Sequence, residues 1–289
     1  MTTEPSGAVW SYWEDLPGTT RPPYLDLCLD TIRRHAPPLE VRCLGPEEAL
    51  DVLPGIDARR WRSLPAPNYR SDYLRSRVLQ RYGGIWMDPD TVALAPLSRL
   101  LDEIDGTGTV SFGRELGRFF GGLCAAVAGA AFVDDWVAEQ DARLSGSADW
   151  SALGYAALAQ DVTWAVARRA PWKALPMERV APVPWYQWRR FLSRLESPRR
   201  ILPEAPLTVV LWNAVMAPVL RETSTGDLLR SRTLLGRLLR IGLGTSTVTE
   251  EEDLWTAMHV LADVRFSRPG QGVELTARRL AGRVGGRRP

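Results

Sequence analysis

Ala66-Pro67-Asn68-Tyr69-Arg70-Ser71-Asp72-Tyr73-Leu74-Arg75, followed by Tyr82-Gly83-Gly84-Ile85-Trp86-Met87-Asp88-Pro89-Asp90, is the stretch that decides the fold. Asn68 reads as the cap of a helix over Tyr69 to Tyr82, which the Gly83-Gly84 pair ends. Ile85-Trp86-Met87 then reads as a short buried strand, and two carboxylates, Asp88 and Asp90, follow its carboxyl end. Open α/β sheets bind their ligands outside the carboxyl ends of their strands, so the acidic pair stands where a site is expected.

Working outward, Ala8 to Trp13 reads as a strand and Pro17 to Pro23 as a loop. A helix from Tyr24 to His35, a strand from Leu39 to Leu44 and a helix opening at Gly45-Pro46-Glu47-Glu48 come next. That β-α-β-α order predicts an α/β fold with a mixed, mostly parallel sheet flanked by helices. Further strands are expected at 110–112, 123–127 and 207–212, with helices over 132–144, 152–169 and 227–241. This divides the chain into a domain over 1–225 and a helical extension over 226–289. The extension ends in a basic tail of Arg278, Arg279, Arg283, Arg287 and Arg288.

Composition narrows the class. Of 289 residues 45% are apolar and 24% charged, which is globular usage. A formal net charge of +2 argues against general nucleic-acid binding. Cys28, Cys43 and Cys124 have no spacing for a zinc site or a disulfide framework and read as buried thiols of a reducing compartment. No secretory leader is visible, and apolar runs fall short of the ~20 residues of a membrane span. The expectation is a cytoplasmic protein with peripheral membrane contact as an option.

Two carboxylates one residue apart on a turn can converge on one divalent cation, and Mg²⁺ or Mn²⁺ favours such oxygen ligands alongside substrate phosphates. The competing reading is a surface turn, for which Asp and Pro are also preferred. The preceding helix shifts the balance. At ~100° per residue, Leu74, Val78, Leu79 and Tyr82 share one arc that includes Arg75, with Asp72 at its margin, while Arg77 and Arg81 point elsewhere. A charged pair on an inward stripe is costly unless it faces a polar cavity or a ligand, although an intrahelical ion pair explains the spacing more simply.

The run from Ala66 to Asp90 resembles the signature of glycosyltransferase family 32, which joins a Ser-Asp-x-x-Arg helix, a Tyr-Gly-Gly turn, an aromatic residue and an Asp-x-Asp. That family includes capsule and lipopolysaccharide sugar transferases with mannosyl- and galactosyltransferase relatives. The resemblance implies a GT-A type fold and a retaining, metal-dependent hexosyltransferase of polysaccharide biosynthesis that takes a UDP- or GDP-sugar with Mn²⁺ or Mg²⁺. The acceptor would be a glycan, a lipid-linked glycan or a small molecule. It assigns the cation to Asp88 and Asp90, the donor sugar to Asp72 and Arg75 with Ser71 beside them, and the nucleotide base to Trp10 and Trp86. Val209-Val210-Leu211-Trp212-Asn213 is similar to the family's His-Leu-Trp-Asn segment, which adds Trp212 and Asn213 to the donor site. Val210 stands where the family has His, and neither His35 nor His259 matches that position.

Two rivals remain. A nucleotidyltransferase needs a Gly- and Arg/Lys-rich loop after the first strand, where this chain offers Pro17-Gly18 and one Arg. A non-catalytic binding protein on the same fold is the other. Among weaker candidates, Glu14-Asp15 follows the first strand and could line the site but reads more simply as solvent-facing, Asp134-Asp135 reads as capping acids at a helix start, where the dipole favours them, and Asp161 as a residue near the acceptor. The helix over 227–241 places Arg230, Arg237 and Arg240 across from a Leu228, Leu235, Leu238 and Leu239 arc, with packing on the core as the default and membrane contact as the lesser option.

Overall fold

The computed structural model describes residues 7–147, 149–153, 158 and 160–266, the side chains of 160 and 260–266 excepted. Its strands are β1 (Ala8–Tyr12), β2 (Glu40–Leu44), β3 (Gly84–Met87), β4 (Thr91–Ala93), β5 (Thr109–Phe112), β6 (Leu123–Ala126), β7 (Lys173–Leu175) and β8 (Thr208–Val210). Six of them form one sheet in the order β2-β1-β3-β6-β5-β7. The β1–β2, β1–β3 and β5–β7 pairs are parallel and both pairs made by β6 are antiparallel, so β6 alone runs against the other five. β4 and β8 make a separate antiparallel ribbon, with Thr91 opposite Val210. This is the mostly parallel α/β sheet that the alternation of elements predicts.

The helices are α1 (Pro23–His35), α2 (Pro46–Val52), α3 (Ala58–Arg62), α4 (Pro67–Tyr82), α5 (Ser98–Asp102), α6 (Ala131–Ser145) and α7 (Gln160–Ala167), then α8 (Met177–Val180), α9 (Pro198–Ile201), α10 (Asn213–Leu220), α11 (Thr225–Arg230), α12 (Leu234–Gly242) and α13 (Val248–Phe266). Side chains alternate across the sheet as period two requires. Ala8, Trp10 and Tyr12 of β1 and Trp86 of β3 join Leu74, Val78 and Leu79 of α4 and Trp136 of α6. Val9, Ile85 and Met87 face the other side, with Leu29 and Ile32 of α1. The outer face of α1 packs on α11 and α12 through Tyr24, Leu25, Cys28, Leu228, Leu235 and Leu239, so residues 226–242 share a core with the first helix.

Several expected boundaries are corrected. α4 starts at Pro67 with Ala66 as its cap residue, so Asn68 caps nothing; proline, which lacks an N–H, fills the first helical position instead. The helix expected over 152–169 is shorter. A 3₁₀ turn at Trp150–Ala152 precedes α7, and 154–157 and 159 lie outside the described residues. The helix expected over 227–241 is two helices, because Ser224 caps α11 through Asp227 N–H and Thr233 caps α12 through Gly236 N–H. Its polar face is not free either: Arg237 is 1% exposed and donates to the carbonyls of Glu196 and Arg194, and Arg240 pairs with Glu251 at 2.7 Å. Asp134 lies in the first turn of α6, as expected of an acid at a helix start, but the cap residue is Ala130 and the Asp134 carboxylate accepts from Gln80. Cys28 and Cys124 are buried, Cys43 is half-buried, and all three are free thiols. The basic tail lies outside the described residues.

The turn from α4 into β3 depends on Gly83, whose φ is 65°. A Cβ there would stand 2.7 Å from Ala128 N and 2.8 Å from Ala126 O, so only glycine fits against the edge of β6. Among the described residues no helix is long and apolar enough to cross a membrane.

Candidate active site

Asp88-Pro89-Asp90 fills the step between β3 and the β4 ribbon, and a cavity of about 760 Å³ opens there. Its walls come from the residues just after β1 (Trp13, Glu14), the carboxyl end of β5 (Phe112) and the lead into β6 (Gly121, Gly122). The site therefore sits at the carboxyl edge of the parallel strands.

Arg75 is the hub. Its guanidinium donates to both oxygens of Asp88 at 3.0 and 3.3 Å and to Ser71 Oγ at 3.2 Å, pairs with Asp72 Oδ1 at 3.2 Å, and lies 5.6 Å from the Trp86 ring centre. Asp88 is held from two further sides. It accepts from Trp86 Nε1 at 2.9 Å, and its own N–H donates to Gly122 O at 2.7 Å. A Cβ on Gly122 would fall 2.5 Å from Asp88 Oδ2, so this glycine admits the carboxylate.

Asp90 is anchored differently. Its Oδ2 accepts the N–H of Asn213 at 2.5 Å, and its carbonyl accepts from Leu211 N–H at 2.9 Å. Asn213 opens α10, and Trp212 before it adopts a left-handed backbone (φ 62°), which turns the chain so that the first helical N–H points at the carboxylate. The Tyr24 hydroxyl donates to Asn213 Oδ1, and Trp212 Nε1 donates to Val183 O at 2.7 Å.

Asp72 and Asp88 share the Arg75 guanidinium, and Asp72 and Asp90 hold their protons more tightly than a free carboxyl does. Burial pushes Asp72 up to about 7, against the pull of Arg75 and with the help of Asp88. Burial and the neighbouring Asp88 also raise Asp90, against the Asn213 N–H that favours its ionised form. Asp72 Oδ2 is buried and has no hydrogen-bond partner among the described residues.

Of the expected site residues, Ser71, Asp72, Arg75, Asp88, Asp90, Trp212 and Asn213 line one cavity. Trp10 and Trp86 do not. Trp10 is buried against Tyr82 and donates to Gly83 O, and Trp86, fully buried, presents its N–H edge to Asp88. Neither indole offers a free face to a base in this packing. Val210 lines the cavity and pairs with Thr91, next to Asp90, so an apolar side chain occupies the place of the family's histidine. His35 bonds Gly242 O and His259 bonds Trp255 O, both structural contacts. Asp161 is exposed on α7.

Sequence reasoning passed over Tyr24 and ranked Glu14 as solvent-facing ahead of a place on the site wall. Glu14 lines the cavity instead of facing bulk solvent and holds Arg70 at 2.7 Å and the Tyr12 hydroxyl at 2.6 Å. The Gly121-Gly122 pair before a strand was the available signal for a close approach at Asp88.

Comparison with known proteins meets this geometry at α4 and β3. Residues 49–107 match the family model described as glycosyltransferase sugar-binding region containing DXD motif. No curated protein matches the chain. A solved structure, PaToxG Glycosyltransferase, is similar at 14% identity over 84% of this chain and 88% of that one, with a TM-score of 0.39. The matched stretch contains Asp72, Arg75, Asp88 and Asp90, and it supports glycosyl transfer as the general activity of the chain.

Proposed function

We propose that this chain moves a hexosyl group from a UDP- or GDP-sugar to an acceptor with the help of Mn²⁺ or Mg²⁺, with retention of configuration, as family 32 enzymes do. The observation that carries the reading is Arg75 gripping Asp88 at the mouth of a cavity that also holds Asp72 and Asp90. Four acids, Glu14, Asp72, Asp88 and Asp90, line the cavity against two guanidiniums, Arg75 and Arg221, which leaves the site electron-rich. Asp88 and Asp90 are hard oxygen donors, and among the described residues no cluster of three His, Cys, Asp or Glu could hold an ion unaided. That donor set fits a divalent cation whose remaining positions are taken by phosphate oxygens and water.

When bound, the cation offsets the charge that builds on the diphosphate as its bond to the sugar breaks. The rest falls to the chain. Arg75 fixes Asp88 and leaves Asp72 Oδ2 open to a sugar hydroxyl. The Asn213 N–H, at the amino end of α10, holds Asp90, and Trp212 and Asn213 line the cavity that receives the donor phosphates. The sugar–phosphate C–O bond breaks, the acceptor oxygen bonds the same carbon, and the acceptor's proton passes to the departing diphosphate. No protein nucleophile is required. The free thiols suit a reducing compartment, and the proposal places the enzyme in the cytoplasm.

Val210 favours a second reading, a donor-binding protein without transfer. Hydrolysis of a panel of UDP- and GDP-sugars with Mn²⁺, wild type against Asp90→Ala, separates the two. Release of one sugar by wild type and its loss in the variant is expected. Equal background release in both removes the transferase reading, and Mn²⁺-dependent nucleotide binding without release establishes the second.

A further inference from the structure

Seven large apolar side chains are exposed among the described residues, and three of them gather at one place. Leu16 (48% exposed) and Trp185 (52%) line the cavity described above. Tyr186 (64%) follows Trp185 and meets its ring edge-on at 6.0 Å. These residues come from two segments far apart in the chain, after β1 and before α9. A rim assembled from two segments is not the accident of one loop, and clustered apolar exposure marks an interaction surface.

Charge identifies the partner. Residues 185–200 carry Arg189, Arg190, Arg194, Arg199 and Arg200 against one acid, Glu196, which is already paired with Arg190 at 2.8 Å. Arg189, Arg194, Arg199 and Arg200 are exposed, and on the cavity wall Arg221 is exposed as well. None of these five forms an ion pair among the described residues. Of the acids nearby in sequence, Glu14 is held by Arg70, Asp15 accepts from the Trp13 indole, and Glu204 and Glu222 are exposed. Trp and Tyr settle where hydrocarbon meets water, and arginines beside them attract anionic headgroups.

We propose that the cavity mouth is a membrane-docking rim, with Leu16, Trp185 and Tyr186 entering the headgroup region of an anionic bilayer and Arg189, Arg194 and Arg221 contacting lipid phosphates. Given the transferase reading, the acceptor is then lipid-borne and enters the cavity from the bilayer; the docking itself needs no catalysis.

Sedimentation of the full chain with vesicles tests it. Phosphatidylcholine vesicles are compared with vesicles that also contain phosphatidylglycerol, for wild type, Trp185→Ser/Tyr186→Ser and Arg189→Glu/Arg194→Glu. Wild type co-sediments with the anionic vesicles and only weakly with neutral ones, and added salt releases it. Each double variant lowers binding about tenfold or more. All four substituted residues are exposed, and a urea-unfolding midpoint equal to that of wild type shows that the fold of each variant is intact. A wild type that stays in the supernatant with both lipids overturns the proposal. So does equal binding by the aromatic variant. If that variant binds no vesicle differently but raises the KM of a soluble acceptor while donor hydrolysis is unchanged, the rim is an acceptor subsite instead. Loss of donor hydrolysis in Asp90→Ala with docking intact bears only on the catalytic reading.

Discussion

Replacing Asp72 by Asn should make the protein more stable and less competent. Folding buries this carboxyl and raises its pKa from 3.8 to about 7. The unfolded chain therefore gives up the proton first. Stability is complete below about pH 4, falls as pH climbs towards 7, and levels off above it. At pH 8 the ionised carboxylate costs the fold up to about 4 kcal/mol, a figure that already contains the attraction of Arg75. Asn is a neutral isostere and escapes that cost, but its NH₂ fits less well beside the guanidinium, so the expected gain is about 2 kcal/mol at pH 8. Near pH 4, where Asp72 is protonated, the gain should vanish. Urea unfolding of wild type and Asp72→Asn across that range, followed by tryptophan fluorescence, reads the difference directly, and the Asp90 contribution cancels in the comparison. Sugar transfer should suffer: losing a charged acceptor for a donor-sugar hydroxyl removes about 1.5–3 kcal/mol, or about ten- to a hundredfold in kcat/KM. A variant that is less stable at pH 8, or whose advantage does not shrink on acidification, refutes the account of Asp72 as a buried, destabilising site residue.

Tyr24→Phe deletes the hydroxyl that holds Asn213 Oδ1 and so loosens the N–H on Asp90; Mn²⁺-dependent UDP binding, measured by calorimetry, should weaken about tenfold with a stability loss of about 1 kcal/mol, and unchanged affinity would mean that α10 needs no such brace. Val210→His puts an imidazole on the cavity wall beside Asp90 and should tighten Mn²⁺ binding about tenfold, with a thermal shift that appears only when Mn²⁺ is added; no such shift would show that the coordination position is elsewhere.

The part of this site that the sequence discloses is local. Gly83-Gly84 between a 3.6-period helix and a three-residue apolar run leaves little choice but a sharp α4–β3 turn, and the helical arc places Arg75 inward without knowledge of what it meets. Its partner Asp88 lies 13 residues on, across that turn, and no periodicity reaches so far. The same holds more strongly for Tyr24 and Asn213, which are 189 residues apart. Trp10 and Trp86 fail for another reason. Strand alternation assigns each ring to a face, but both faces of this sheet are covered, so the pattern cannot tell a ring packed on α4 from one stacked on a ligand. The split between α11 and α12 was hidden because an apolar arc continues in register across Ser231 and Thr233, while the capping hydroxyl of Thr233 ends one helix axis and starts another. Periodicity reports which side chains are buried; it does not report where the backbone changes direction. At this site the changes of direction bring the carboxylates together: the left-handed Trp212 and the Gly121-Gly122 lead into β6 each bring a main-chain polar group to Asp90 or Asp88, and Gly83 turns the chain from α4 into the strand that precedes them.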